Sequence, residues 1–247
     1  MPSFGLALSY TLVYMLGSLT FGFITIFPTP GLNSMRKEWP DFNQIVNSEH
    51  IKYFNSFAPL IGSLSGFLVH IMIRYIFNNK RRIVVSIINI FGFLIWLLFL
   101  LITPDKFWIG IVLRSFQGLV LGGNALLTPT MILEIAPPRS TGMFGGFAQI
   151  GKSTGFFIFY LIGAFSQWRV MVIVAAVICL LHAGLIILTP EQNETSEFLR
   201  NGINSQEIQS MSTSRKNGSC CGKFRSYESI FSKKYSFHIF CGMMMKL

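Results

Sequence analysis

Charge is scarce in this chain. Asp, Glu, Lys and Arg make up 12% of its 247 residues, about half the 25% usual in soluble domains. A water-soluble fold of this length could not clothe its surface with so few ionised groups, so a soluble enzyme is excluded. Acid is scarcest of all: 10 acidic residues stand against 20 basic ones, for a formal charge of +10. The cysteines, Cys179, Cys220, Cys221 and Cys241, show neither metal spacing nor a disulfide framework. Cys220–Cys221 lies in a basic tail, either as two free thiols or as a palmitoylation site. Nucleophile elbow, phosphate loop and HExxH motif are all missing. So are the paired groups an intramembrane enzyme would need, and no metal or cofactor is expected.

What the chain does have is apolar length. Apolar and aromatic residues make up 51% of it, with 25 Phe. A spanning helix needs ~20 largely apolar residues to cross ~30 Å of hydrocarbon. No ionised side chain occurs from Met1 to Met35, between Lys52 and Arg74, between Arg82 and Asp105, or between Arg169 and Glu191. Stretches 107–133 and 141–165 are as apolar but for one base each, Arg114 and Lys152. The first run is too long for a signal peptide, and no base precedes it. The fold class expected is an all-α membrane protein with six transmembrane helices. Residues 1–189 would form the bundle, 190–234 a polar basic cytosolic linker, and 235–247 the start of an incomplete seventh apolar segment.

Bases set the orientation. Arg74, Lys80, Arg81, Arg82, Arg139 and the tail bases follow spans two, four and six, against Arg36, Lys37, Lys52, Lys106 and Arg169 after spans one, three and five. Both termini are therefore expected in the cytoplasm, which leaves the sequons at Asn193 and Asn217 unglycosylated. Residues 28–52 read as a mixed-charge loop. Gly118-x3-Gly122, Gly142-x3-Gly146 and Gly151-x3-Gly155 would let helices approach closely. Pro129 should bend span four, and Pro137–Pro138 should end it. His70 and His182, inside spans, read as helix–helix hydrogen bonders.

From Arg114 the sequence runs RSFQGLVLGGNALLTPTMILEIAPPRSTGMFGGFAQIGKSTG. Arg114, Gly118, Gly122, Pro129, Glu134-Ile135-Ala136-Pro137, Gly142, Gln149 and Gly155 keep their spacing without a gap. Trp168-Arg169, Pro190-Glu191 and Phe21-Gly22-Phe23 flank them. Together they resemble the sugar porter family of the major facilitator superfamily, over its N-terminal six-helix half; the family has twelve helices around a central cavity. There are departures. The loop after helix two reads IFNNKRR, where the family has Asp-Arg-x-Gly-Arg-Arg. Met131 replaces a Tyr, Thr141 an Arg, and Ile24 the acid that proton-coupled members carry on helix one.

The resemblance implies that Gln149 contacts sugar. Its amide offers two donors and an acceptor to hydroxyls that both give and take hydrogen bonds; bonding a neighbouring helix is the alternative. Lys152, three residues on, shares its face, where the family places an apolar residue. It either binds an anionic group, or tunes the cavity, or marks relaxed selection. Arg114 is a further substrate-site candidate, or else bonds carbonyls or snorkels outward. Without an acid at Ile24 no group exchanges a proton near neutral pH, so facilitated diffusion is expected over proton symport. Glu134, Arg139, Arg81, Arg82 and Glu191 form a cytoplasmic charge cluster which the resemblance assigns to gating, against a plain topology signal for Arg81 and Arg82. The function expected is transport of a hexose-like sugar by alternating access, as a half-length or truncated carrier. A non-transporting product, or a partner subunit of another transporter chain, is the alternative. Expected partners are the sugar, the lipid bilayer, and a second transporter half or a copy of itself. Nucleic acid is not expected.

Overall fold

The computed structural model describes residues 4–40, 42–77, 80–136 and 140–189. Every regular element among them is helical: α1 (Phe4–Ile26), α2 (Pro28–Glu38), α3 (Phe42–Ile45), α4 (Ser48–Ile71, prolonged by a π-turn over Met72–Ile76), α5 (Arg81–Phe99), α6 (Phe107–Ile135), α7 (Thr141–Phe165) and α8 (Trp168–Ile187). Five segments are long and apolar enough to cross a membrane: Ala7–Ile26, Ser48–Ile76, Arg81–Phe99, Pro104–Ile135 and Trp168–Ile187. The sixth expected span, α7, has the length, 25 residues, or about 37 Å of rise. It falls short in apolarity, because Gln149, Lys152, Ser153 and Thr154 sit in its middle. The segments at 190–234 and 235–247, with Glu191 and Arg139, lie outside the described residues.

The expected loop at 28–52 is mostly helix. Phe27 keeps helical dihedrals between α1 and α2, and the Gly31 amide donates to its carbonyl at 2.9 Å. Proline at the first position of a helix removes only a donor that had no partner there. Pro28 therefore passes the chain on, where it would have stopped a helix already under way. α6 likewise runs through Pro129 to Ile135, and the Thr130 hydroxyl donates to the Leu126 carbonyl at 2.7 Å beside the gap.

Small residues set the tightest helix contacts. A Cβ on Gly118 of α6 would lie 2.6 Å from the Ala58 carbonyl oxygen of α4, and one on Gly122 would collide with Gly62 and Ser65. In the same way α1 and α7 meet backbone to backbone. A Cβ on Gly22 would lie 2.7 Å from the Lys152 carbonyl oxygen, and one on Gly155 would lie 2.7 Å from that of Leu19. So α6 pairs with α4, α1 with α7, and α5 with α8. Gly142 and Gly146 belong to no such contact: a Cβ on either meets nothing within 4 Å.

Aromatic rings fill the core towards the Glu38 end. Phe27 meets Trp96 edge-on at 5.2 Å and Phe99 at 5.6 Å, and Phe23 stacks on Phe159 at 4.5 Å. The outside is apolar, with Leu60, Leu64, Phe67 and Leu68 of α4 and Ile173, Val177, Leu180 and Leu181 of α8 exposed. In water that surface would be insoluble; in a bilayer it is the matched solvent. The chain is an integral, multi-pass membrane protein.

Candidate functional site

The backbone contact between α1 and α7 fixes what α7 turns outward. Gly151 and Gly155 bury one side of the helix against Ser18 and Leu19. Gln149, Ser153 and Thr154 are then exposed, and Lys152 is half-buried beside them. The Lys152 ammonium rests over the Phe21 ring of α1, 4.8 Å from its centroid. No ion pair joins it to a carboxylate among the described residues. An ammonium at the middle of a span costs at least ~2.5–3.5 kcal/mol on insertion scales. A partly exposed cation–π contact returns about 0.5–1 kcal/mol of that. Inside a bilayer, a face holding Gln149 and Lys152 would call for water or another polar body against it.

Arg114 is placed elsewhere. It is 1% exposed, in the interior between α1, α4 and α6. Its Nη1 donates to the Ile24 carbonyl at 2.9 Å and to Gln117 Oε1 at 2.6 Å, and its Nε reaches the Phe54 carbonyl at 3.4 Å. The rings of Phe54 and Phe27 lie 5.4 and 6.0 Å from its guanidinium carbon. The partner at Ile24 has a local cause. In a helix that carbonyl would accept from residue 28, and Pro28 has no N–H to give. Arginine fills a vacancy left by proline, with main-chain oxygen standing where an acidic side chain would otherwise be needed.

A buried polar network lies further along α6. Asn124 and Asn89 of α5 exchange amide hydrogen bonds at 3.2 Å. Asn124 also donates to the Thr20 hydroxyl of α1 at 2.9 Å, and Asn89 to the Val85 carbonyl at 2.8 Å. This three-helix tie is absent from the sequence reading, although one Asn in the middle of each of two apolar spans was its signal. His182 departs from its expected role. It is fully buried, and neither ring nitrogen has a hydrogen-bond partner among the described residues. It lies where a Cβ on Gly17 would strike it, beside a residue with no side chain to offer an acceptor. His70 is exposed at the end of α4.

Charged groups gather at both ends of the bundle. At one end Arg81, starting α5, forms an ion pair with Glu134 near the end of α6, both about one-third exposed. Arg82 donates to the Thr189 carbonyl after α8. At the other end Glu38 takes the indole N–H of Trp168 at 2.6 Å and Arg169 at 3.0 Å, and the Trp168 amide donates to Ser34 Oγ at 2.9 Å. The pair Trp168-Arg169, legible only as a signature, thus clips α8 onto α2. A cavity of about 510 Å³ opens beside the clip, between α2 and the end of α7, lined by Asn33, Lys37, Tyr160 and Gln167 among others.

Comparison with known proteins agrees with this architecture. The chain is 24% identical over 192 residues to solute carrier family 2, facilitated glucose transporter member 8, of Bos taurus, which covers 78% of this chain and 38% of that protein. It is 26% identical over 186 residues to sugar transporter ERD6-like 6 of Arabidopsis thaliana, covering 74% and 36%. The chain thus spans under two-fifths of the length of these relatives. The inward-open xylose transporter XylE of E. coli superposes with a TM-score of 0.65 at 18% identity, over 87% of this chain and 57% of that one, a likeness of fold. A family model described as "Sugar (and other) transporter" matches residues 10–247, and the chain belongs to that family.

Proposed function

We propose that the chain forms a six-helix half of a carrier that moves a hexose-like sugar across the bilayer by alternating access, with both termini in the cytoplasm and α7 as the sixth span. The observation that carries this reading is the polar face of α7. Gln149 and Ser153 are exposed there, on a helix locked to α1 through Gly22 and Gly155. Polar groups at that depth are not left to acyl chains, and an amide with a hydroxyl one turn on suits a sugar. Gln149 is the hydroxyl-binding group and Lys152 lines the same wall. Arg114 holds α1, α4 and α6 in register behind it.

Transport is by facilitated diffusion. Arg114 is matched by the Ile24 carbonyl, and a main-chain carbonyl does not take up a proton at physiological pH, so the site lacks the exchangeable acid a symporter needs. Arg81 and Glu134, with Arg82, Arg139 and Glu191, form the cytoplasmic gate: pairs made in one state only bias the carrier towards it.

The same exposed face favours a second body. Another six-helix half, or a copy of this chain, would cover it; the alternative reading is a non-transporting product, or a partner subunit that associates with another transporter chain. The test is uptake of radiolabelled hexose by proteoliposomes holding the chain, against Gln149→Ala. Wild-type uptake should exceed empty vesicles, and the variant should lose about tenfold, the worth of one or two lost hydrogen bonds in a dry site. Uptake that Gln149→Ala leaves unchanged refutes the site; no uptake from wild type favours the partner-dependent reading.

A further inference from the structure

Lys152 carries a second, sharper question about the ligand. It is the twelfth residue of a 25-residue helix, far from either end. The acids among the described residues are Glu38, Glu49, Asp105 and Glu134. Glu38 is held by Trp168 and Arg169, Glu49 by Lys52, and Glu134 by Arg81. Asp105 sits in the short turn before α6. None stands at the depth of Lys152. The other cation inside the bundle, Arg114, is sealed among carbonyls and rings away from the α7 face.

The Lys152 charge is also held in place. Its own carbonyl oxygen would lie 2.7 Å from a Cβ on Gly22, and Phe21, next in sequence, supplies the ring under the ammonium. The contact orients the charge without neutralising it, so a positive site of fixed position stands one helical turn from the Gln149 amide. Residues three apart on a helix have Cβ atoms about 5–6 Å apart, comparable to the reach from a C6 carboxylate to the C2 and C3 hydroxyls of a pyranose.

We infer that the ligand of this site is an anionic sugar, a pyranose bearing a carboxylate, with Lys152 as its counter-ion and Gln149 and Ser153 as its hydroxyl partners. The inference rests on the sugar-binding reading above and adds the charge. A neutral hexose would leave the ammonium unmatched in the wall. A monoanion matches it one to one, whereas a phosphate dianion would carry an uncompensated charge into the membrane.

The experiment is equilibrium binding of radiolabelled D-glucuronate and D-glucose to the purified chain in lipid nanodiscs, comparing wild type, Lys152→Arg and Lys152→Gln. Wild type should bind glucuronate about tenfold or more tighter than glucose. Lys152→Arg should keep the preference, and Lys152→Gln should abolish it, bringing the ratio of glucuronate to glucose affinity measured on that same variant to about one. Equal affinities in wild type overturn the inference, as does a preference that survives Lys152→Gln. The wild-type comparison decides even if a variant fails to fold. Glucose binding that Gln149→Ala weakens, without any preference for glucuronate, overturns the charge and leaves the sugar site standing. Binding of neither ligand overturns both.

Discussion

Two glycines nine residues apart on one helix should respond oppositely to the same methyl group. Gly155 and Gly146 both lie on α7 in Gly-x3-Gly pairs, and alanine raises intrinsic helix propensity at each by about 1 kcal/mol. At Gly146 nothing stands within 4 Å of the new Cβ, so Gly146→Ala should stabilise by up to that amount. At Gly155 the Cβ would lie 2.7 Å from the Leu19 carbonyl and 3.3 Å from the Gly22 Cα, closer than the 3.0 Å that real Cβ atoms keep from their neighbours in the first case. The obstacle is the backbone of another helix, which cannot swing aside, so α7 must withdraw from α1. Overpacking of this kind costs about 1–3 kcal/mol, and the propensity gain does not cover it. The gap between the two variants should be about 1–3 kcal/mol, read by equilibrium unfolding in mixed SDS–detergent micelles. Gly155→Ala should also lower affinity at the Gln149 face, because withdrawal carries Lys152 off Phe21. Equal stability for the two variants would mean that α1 and α7 do not meet at Gly22 and Gly155, and the site built on that contact would go with it.

The two remaining predictions concern the arginines. Arg114→Lys keeps the charge, but its side chain stops about one bond short of the Nη1 that serves both Ile24 O and Gln117 Oε1; the orphaned acceptor should cost about 1–3 kcal/mol. In a Pro28→Ala background the Ile24 carbonyl regains a main-chain donor, and that cost should fall by roughly 1 kcal/mol in the same unfolding assay; a cost equal in both backgrounds refutes the compensation. On the proposed gating role, Glu134→Gln removes a pair worth about 0.2–1 kcal/mol at this exposure, and so should shift the carrier towards cytoplasmic opening by up to about fivefold. Alkylation of a cysteine introduced by Gly146→Cys, followed by peptide mass spectrometry, should speed up accordingly. An unchanged or slower rate leaves the pair as a structural tie.

Composition and run length carried the membrane class, because the bilayer filters sequence on one coarse variable, apolarity over about 20 residues. The two readings part at α7, where Gln149, Lys152, Ser153 and Thr154 lower the hydropathy: counting charges admits it as a span, and averaging apolarity does not. Glycine spacing shows the opposite weakness. Three Gly-x3-Gly pairs are equivalent on paper, yet only Gly118–Gly122 and Gly151–Gly155 face another helix's backbone, while Gly142 and Gly146 face open space. Which side of a helix is inward is a tertiary fact that spacing alone does not encode. The charge pairs divide along the same line. Arg81 and Glu134 were legible as members of one cluster, since the start of α5 and the end of α6 fall at the same end of the bundle. Glu38 with Trp168 and Arg169 was not, because about 130 residues separate them and nothing local marks the match.

Arg114 shows how far a departure from pattern can be read once the fold is known. In the sequence it is a base without its usual acid, which reads either as lost function or as a solitary charge. In the fold the residue four places after Ile24 is Pro28, which frees a carbonyl at the spot the guanidinium reaches. In this chain a main-chain acceptor, which has no proton to exchange, stands at the guanidinium, and the arginine bonds across α1, α4 and α6. A single Ile24→Asp substitution would set an acid within that box, but it would compete with a carbonyl already bonded. On the proposed facilitated-diffusion reading, restoring proton coupling would then take Pro28→Ala as well as Ile24→Asp.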